Sequence, residues 1–172
     1  MTSPRKYSAN ITRILNIFIL ITFVLLGLVT YKNKEPEKTE YLVNRVIDGD
    51  TIEVIKNNNK EEVRLLGIDA PEMNDKKKIM VCFARKSKNN LELKIKNKEV
   101  VLESDPSQAD KDKYGRLLRY IYYNNEMINK SILSQGDAVV YKYFIVNKMD
   151  EFMEEEKIAK ENKVGLWSGE CN

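Results

Sequence analysis

The chain has 172 residues, of which 42% are hydrophobic and 32% charged, a mix typical of a globular domain rather than a disordered one. It contains no histidine, which excludes a Ser-His-Asp triad, a histidine general base and a histidine-ligated zinc site. The formal net charge is +3. Residues 1–40 hold six of the 29 basic and three of the 26 acidic side chains, which leaves 23 of each sign in residues 41–172. That region has no net charge, so it can attract nucleic acid only through local groups.

The first predicted element is an uncharged apolar segment, residues 14–31, behind a basic tail, residues 1–13. Its 18 residues would span roughly 27 Å as a helix, close to the ~30 Å hydrocarbon core, so we predict a transmembrane helix. No small-residue cleavage site follows, which favours a retained signal anchor over a cleaved signal peptide. We expect the domain that follows to lie outside the cytoplasm, anchored to the membrane or secreted if the segment is cleaved. Three basic residues flank the segment on each side, so charge leaves its topology open.

Residues 32–40 are charged and contain a proline, which predicts a linker to a folded domain at 41–172. Alternating apolar residues and turn signals predict five strands, at residues 41–47, 51–56, 62–67, 99–103 and 116–123, with a hairpin loop at 57–59. Apolar residues at steps of three and four predict helices at 80–95, 127–135 and 150–163, and residues 139–144 read as extended. A helix between the third and fourth of five strands is the element order of an OB-fold barrel. The predicted fold class is therefore α+β, mainly β: an OB-fold five-stranded β-barrel with three α-helices, preceded by the N-terminal membrane helix.

Charged side chains gather at the ends of these strands and in the adjoining loops. Cleavage of a phosphodiester needs an activated water and positive groups on the phosphate oxygens. Without histidine, carboxylates can position the water or hold Ca²⁺ or Mg²⁺, and arginine can fork onto the phosphate. The candidates are Asp50, Arg64, Asp69, Glu72 and Arg116.

Each of these residues also has an ordinary structural interpretation. Asp-Gly is a common hairpin turn, and Arg64 can be a solvent-facing strand residue. Asp69 and Glu72 can belong to a turn or helix start, and Tyr114-Gly115, directly before Arg116, can form a loop tip. The combination of all of them, in this order on this strand pattern, favours an active site.

Three segments carry a resemblance to a known family: IDGDT at 47–51, RLLGIDAPE at 64–72 and DKYGR at 112–116. They resemble the signature blocks of the thermonuclease (staphylococcal-nuclease-like) family, and the GLW at 165–167 is similar as well. The resemblance covers roughly residues 41–168. It implies an OB-type barrel with three helices and Ca²⁺-dependent endonuclease hydrolysis of DNA and RNA to 3′-phosphate products. A non-catalytic nucleic-acid-binding OB module at the membrane is the alternative, which the presence of all five candidate residues disfavours.

The resemblance also implies a role for each site residue. One Ca²⁺ ion would be bound by Asp50, Asp69 and the backbone carbonyl of Ala70. Glu72 would orient or deprotonate the attacking water, and Arg64 and Arg116 would bind the scissile phosphate. The substrate contacts that it implies further are Lys113 and Tyr114 at a terminal phosphate, and Tyr141 or Tyr143 stacked on a base.

The sequence departs from the family pattern at three places. Ala70 stands where threonine is common, but the implied ligand is a main-chain oxygen. The loop at 73–81 is shorter and carries three lysines, and the segment between Gly136 and the tyrosines is one residue short, which leaves Tyr141 and Tyr143 as alternatives.

Two cysteines, Cys82 and Cys171, are too few and too distant for a zinc knuckle. In the family fold the first long helix and the C-terminal segment lie close together, which implies a Cys82–Cys171 disulfide and an oxidising compartment. Two unrelated thiols are the alternative. We expect a monomer.

Overall fold

The computed structural model describes residues 16–22 and 40–171. The chain divides into two units, Met1–Lys38 and Thr39–Asn172. In the first unit, residues 16–22 form a helical segment, α1, with exposed side chains. The other residues of the predicted membrane span, the basic tail and nearly all of the linker lie outside the described residues. Within the described ranges, no helix combines the length and apolar character needed to cross a membrane.

The second unit is built on eight described strands and three α-helices. The strands are β1 (Glu40–Val46), β2 (Thr51–Lys56), β3 (Asn59–Leu65), β4 (Ile68–Asp69), β5 (Glu99–Glu103), β6 (Leu117–Tyr123), β7 (Glu126–Met127) and β8 (Val139–Val140). The helices are α2 (Lys78–Ile95), α3 (Ile128–Ser134) and α4 (Met149–Glu161), followed by a 3₁₀ turn at Gly165–Trp167. The predicted helices and long strands all occur, with no end shifted by more than three residues.

The five long strands form a closed barrel. They pair in the order β3-β2-β1-β5-β6, and a parallel pairing of β6 with β3 closes the sheet. The register of the closing pair sets Val63 opposite Leu117 and Arg64 opposite Leu118. The predicted five-stranded barrel is therefore confirmed, and its closure brings the third and fifth predicted strands side by side.

The β2–β3 hairpin is tighter than predicted. Its loop is only Asn57 and Asn58, with φ of 49° and 63°, the positive values that a two-residue type I′ turn requires. Asn59 pairs with Lys56 and begins β3. The prediction of a loop through Asn59 and a strand from residue 62 was wrong, because asparagine tolerates left-handed backbone well enough for two residues to turn the chain.

The predicted extended segment at 139–144 was wrong beyond Val140. Strand β8 pairs with β4 over two positions only, Ile68 with Val140 and Asp69 with Val139. Beyond Val140 the chain turns at Lys142 and Tyr143, because β4 offers no further residues for pairing. This short ladder fixes Asp69 on the barrel.

The core lies inside the barrel and beneath its helices. Ile52, Leu65 and Ile95 are fully buried, and Tyr120 meets Phe152 of α4 edge to face at 5.9 Å. Burying each such side chain contributes about 1.5–3 kcal/mol. Buried Asn129 joins α3 to the barrel, since its Oδ1 accepts the N–H of Ile121 and its Nδ2 donates to the carbonyl of Leu66, both at 2.9 Å.

Cys82 of α2 and Cys171 form a disulfide, with Cα atoms 6.0 Å apart. Lys86 on the same helix forms an ion pair with Glu170. The first half of α2 is therefore tied to the segment that follows the 3₁₀ turn.

Candidate active site

Asp50 is the buried centre of the site. It ends the turn between β1 and β2, where its backbone N–H donates to Asp48 Oδ1 at 3.0 Å. Its carboxylate accepts the hydroxyl of Thr51 at 3.0 Å and the backbone N–H of Ala70 at 2.7 Å. The hydrogen bond from Ala70 to Asp50 therefore joins the segment after β4 to the β1–β2 turn.

Gly49 makes this close approach sterically feasible. A Cβ atom there would lie 2.0 Å from Ser87 Oγ of α2 and 2.7 Å from Ala70 Cβ. Contacts that short do not occur in folded proteins, so only glycine fits between the helix and the Ala70 segment at this backbone position. Helix α2 thus packs directly against the turn that carries Asp50.

Arg64 on β3 joins two carboxylates. Its Nη2 lies 3.0 Å from Asp50 Oδ2 and 3.2 Å from Asp69 Oδ1. Its Nη1 donates to the backbone carbonyls of Leu65 and Ile68, each at 2.8 Å. Three hydrogen bonds and the ion pair with Asp50 hold this guanidinium, and both carboxylates converge on one of its nitrogens.

The electrostatics of Asp50 reflect its burial. Burial raises the pKa of Asp50 to about 7, and the Asp48 charge adds to this, while Arg64 and the hydrogen bonds from Ala70 and Thr51 lower it. Because burial destabilises the ionised form of Asp50, an additional positive charge nearby would stabilise that form. Asp69 differs, because half of its side chain is exposed and reaches solvent.

Arg116 lies in a separate turn, residues 112–116, which we call the phosphate turn. Asp112 organises it: Oδ1 accepts the backbone N–H groups of Tyr114 and Arg116 at 2.9 and 3.0 Å, and Oδ2 accepts Arg116 Nε at 2.8 Å. Burial opposes ionisation of Asp112, but these hydrogen bonds outweigh it and hold its pKa below the usual range. The Lys113 ammonium and the Arg116 guanidinium lie 4.9 and 5.4 Å from the centre of the Tyr114 ring.

Barrel closure brings the two arginines to neighbouring strands. Arg116 directly precedes β6, whose first residue pairs with Val63, and Val63 adjoins Arg64. Among the described residues, the terminal nitrogens of Arg116 make no hydrogen bond to protein, in contrast to those of Arg64. Arg116 therefore retains a fork of donors for an anion.

Glu72 lies three residues after Asp69, on the exposed loop before α2. Its backbone carbonyl accepts the N–H of Asp75 at 3.2 Å. Its carboxylate makes no ion pair with a described residue, so it is not brought into direct contact with Arg64 or Arg116.

The tyrosines belong to an aromatic loop, residues 141–145. The Tyr141 ring lies 5.3 Å from that of Tyr143 and 5.8 Å from that of Phe144. Tyr143 is 85% exposed and Phe144 60%, whereas Tyr141 is partly buried. The loop offers aromatic faces to solvent.

All of the predicted active-site residues except Glu72 thus fall into three groups. Asp50, Arg64, Asp69 and Ala70 are in direct contact; Lys113, Tyr114 and Arg116 share the phosphate turn; Tyr141 and Tyr143 share the aromatic loop. Asp112 had no predicted role, although it stands four residues before Arg116 within DKYGR. The contact between Thr51 and Asp50 was also not predicted. Neither hydrogen bond produces a repeating pattern of residues in the sequence.

The donor set suits a hard cation. Two carboxylates converge, and both offer the oxygen atoms that Ca²⁺ prefers. Within the described residues, no group of three or more His, Cys, Asp or Glu side chains is placed to hold a metal ion. Since Ca²⁺ takes six to eight oxygens, carbonyl, water or phosphate oxygens would complete its shell.

Comparison with known proteins identifies the family of this chain. A family model described as staphylococcal nuclease homologue matches residues 62–169. The chain belongs to the staphylococcal nuclease homologue family. The matched region of this chain contains Arg64, Asp69, Glu72 and Arg116.

Several known proteins are similar to this chain over most of its length. An uncharacterized protein of Methanocaldococcus jannaschii, MJ1439, is 37% identical over 150 residues, 76% of this chain and 72% of that protein. Endonuclease YncB of Bacillus subtilis is 38% identical over 129 residues, 73% of this chain but only 60% of that protein. A thermonuclease of Staphylococcus intermedius is 35% identical over 128 residues, 74% of this chain and 75% of that protein.

Proposed function

We propose that this chain is a calcium-dependent endonuclease that hydrolyses DNA and RNA to 3′-phosphate products. The observation that carries the proposal is the rigid Asp50–Arg64–Asp69 cluster beside a second arginine, in a chain of the staphylococcal nuclease homologue family. Relatives named endonuclease and thermonuclease support the same reaction class. Water gives up one proton as it adds to phosphorus, the bond to the 5′ oxygen breaks, and that oxygen takes up a proton to leave as a 5′-hydroxyl.

Arg116 is the principal phosphate ligand. Its Nε is held by Asp112, so its two terminal nitrogens point as a fixed pair and can bind two phosphate oxygens. Such preorganised donors stabilise the negative charge that builds in the transition state. Arg64 supplies further positive charge, and its ion pair with Asp50 and hydrogen bond to Asp69 hold the two carboxylates in place.

Glu72 orients the attacking water and takes its proton. Its exposed carboxylate is a free acceptor, as a general base must be before substrate binds. Asp50, Asp69 and the carbonyl of Ala70 would hold one Ca²⁺ ion. When bound, that ion supplies positive charge that polarises the phosphate and lowers the pKa of water nearby.

The exposed groups of the other two clusters bind the rest of the substrate. Lys113 and Tyr114 contact a terminal phosphate, and the aromatic loop stacks on an unpaired base. Tyr143 has the more exposed ring and is the better stacking surface, while Tyr141 supports it from 5.3 Å.

The chain acts at the membrane or beyond it, as a monomer. The apolar character of residues 14–31 supports an anchor, and the Cys82–Cys171 disulfide fits an oxidising compartment. The mass of the mature protein from its native cells tests this: loss of the first 30 or so residues would show cleavage and secretion instead.

The activity is tested on the full chain in mild detergent. Single-stranded DNA and RNA oligonucleotides are incubated with Ca²⁺ or with chelator, and the product ends are identified by mass. We expect cleavage with Ca²⁺ only. Glu72→Gln should slow it by about 10²–10⁴-fold, and Arg116→Lys by about 10²–10³-fold, with unchanged thermal unfolding.

Matched controls separate catalysis from general charge effects. Glu62→Gln and Arg45→Lys change exposed residues of the same types on the barrel and should cleave like wild type. Cleavage that persists in chelator would refute the calcium requirement. Binding without cleavage under every condition would instead support a non-catalytic nucleic-acid-binding module.

A further inference from the structure

The side chains of the aromatic loop pack mainly on one another. Tyr143, Phe144 and Ile145 are consecutive and 85%, 60% and 80% exposed. The near end of the loop is anchored at the β4–β8 ladder, where the Tyr141 N–H donates to the Gly67 carbonyl at 2.9 Å. The position of the exposed part therefore also depends on contacts at the far end.

At that far end, Val146 enters the core, and polar bonds join the backbone to another loop. The carboxylate of Asp105, which is only 3% exposed, accepts the Asn147 N–H at 2.7 Å. Gln108 Nε2 donates to the Ile145 carbonyl at 2.8 Å, and Ser107 Oγ lies 3.4 Å from the same oxygen. We call Asp105, Ser107 and Gln108 the clamp.

The clamp is itself rigid. Asp105 accepts the N–H and the hydroxyl of Ser107, each at 2.8 Å, and the phenol of Tyr120. The Gln108 N–H donates to the Asp105 carbonyl at 3.0 Å. Hydrogen bonds from two loops and a barrel strand thus meet on one buried carboxylate.

The clamp connects almost directly to the phosphate turn. Residues 110–112 are fixed on β6: the Leu118 N–H donates to the Asp110 carbonyl, and Lys111 bridges to Leu117. Only Ala109 separates them from Gln108. The clamp therefore links the turn that carries Arg116 to the far end of the loop that carries Tyr143.

We propose that Asp105, Ser107 and Gln108 are positioning residues that set the spacing between the phosphate turn and the aromatic loop, and so the fit of a base to the enzyme once its phosphate is bound. This inference rests on the proposed function. The clamp touches no reacting atom, so its loss affects binding of the base rather than the chemical step.

Gln108→Ala is the sharpest test, because it removes the one hydrogen bond from Gln108 to the aromatic loop and leaves the buried carboxylate intact. Gln135→Ala is the matched control; that glutamine makes one side-chain hydrogen bond, to Ser131, outside both loops. Asp105→Asn is the second variant and keeps the side-chain size. Thermal unfolding of the full chain in mild detergent is measured for all three.

Two single-stranded DNA oligonucleotides of equal length are compared, one with bases and one abasic throughout. For Gln108→Ala we expect KM for the base-bearing strand to rise by about three- to tenfold, the effect of one hydrogen bond, with kcat within about twofold of wild type. KM for the abasic strand should not change. Asp105→Asn should show the same selectivity with a larger rise, and Gln135→Ala none.

Fluorescence anisotropy of the same labelled strands gives affinity without cleavage. Equal weakening of both strands, a fall in kcat alone, or no change in KM or affinity would overturn the inference. If wild type cleaves or binds the strands but the variants match it, only the positioning role fails. If wild type neither cleaves nor binds either strand, the proposed function fails and the positioning role fails with it.

Discussion

Asp112 should be needed for full activity, because it orients Arg116. Its carboxylate makes three hydrogen bonds within the phosphate turn, including the one at 2.8 Å that orients Arg116 Nε. In Asp112→Asn, the amide oxygen can replace one acceptor, but the NH₂ group would face another donor. The guanidinium then loses its fixed direction while its charge remains.

The size of the effect follows from the bond that is lost. A hydrogen bond between charged partners contributes about 1.5–3 kcal/mol, so kcat/KM should fall by roughly 10- to 150-fold if the orientation is needed in the transition state. Stability should change little more than about 1 kcal/mol, because the turn lies at the surface. The assay is cleavage of a single-stranded oligonucleotide with Ca²⁺, with thermal unfolding alongside.

Asp110→Asn is the matched control. Asp110 lies in the same connection and pairs with Arg119 rather than Arg116, so its loss should leave kcat/KM near wild type. A kcat/KM for Asp112→Asn within about twofold of wild type would refute the reasoning, since Arg116 would then need no orientation. A fall of equal size in Asp110→Asn would point to a general effect on the loop.

Three further predictions concern stability and the metal site. Although burial opposes ionisation of Asp105, hydrogen bonds from Tyr120 and backbone groups hold its pKa below the unfolded value of about 3.9. The ionised Asp105 therefore stabilises the fold above that pH, and this stabilisation is lost as pH falls through the folded pKa. Chemical unfolding between about pH 5 and 2 should therefore show a smaller acid loss for Asp105→Asn than for wild type, and equal slopes would contradict this. The non-reduced protein should contain no titratable thiol, and Cys82→Ser should lower the free energy of unfolding by about 3–5 kcal/mol, because the disulfide closes a loop across 89 residues; two thiols in non-reduced protein would exclude the bond. Gly49→Ala should weaken Ca²⁺ binding in calorimetry at least tenfold, about 1.4 kcal/mol, because its Cβ would displace the Asp50 turn from Ser87; unchanged affinity would show that the turn can shift without cost.

The fold could be predicted in type but not in its details. Apolar spacing identified α2 through Phe83, Leu91 and Ile95, all of which are buried. The end of the extended segment at Val140 was missed, because it depends on β4 being only two residues long. Strand length in such cases is set by the partner, which local sequence does not contain.

The site shows the same division. Asp50, Arg64 and Asp69 were singled out by residue type and motif, and they meet in the structure. Asp112 and the clamp residue Asp105 were not, because each acts through backbone N–H groups that any residue can supply. A hydrogen bond to backbone has no signature in the identity of its partner.

The sequence by itself determined the chemistry available to this protein. Lack of histidine left carboxylates and arginines, and the three motif blocks supplied both in a barrel of known strand order. Only the tertiary structure decided how these residues come together. Parallel pairing of β3 with β6 brings Arg64 and Arg116 to neighbouring strands. Asp50 accepts a hydrogen bond from the backbone of Ala70, 20 residues away in the sequence. These contacts depend on how distant segments pack, and packing follows from the whole chain burying one core rather than from any local pattern.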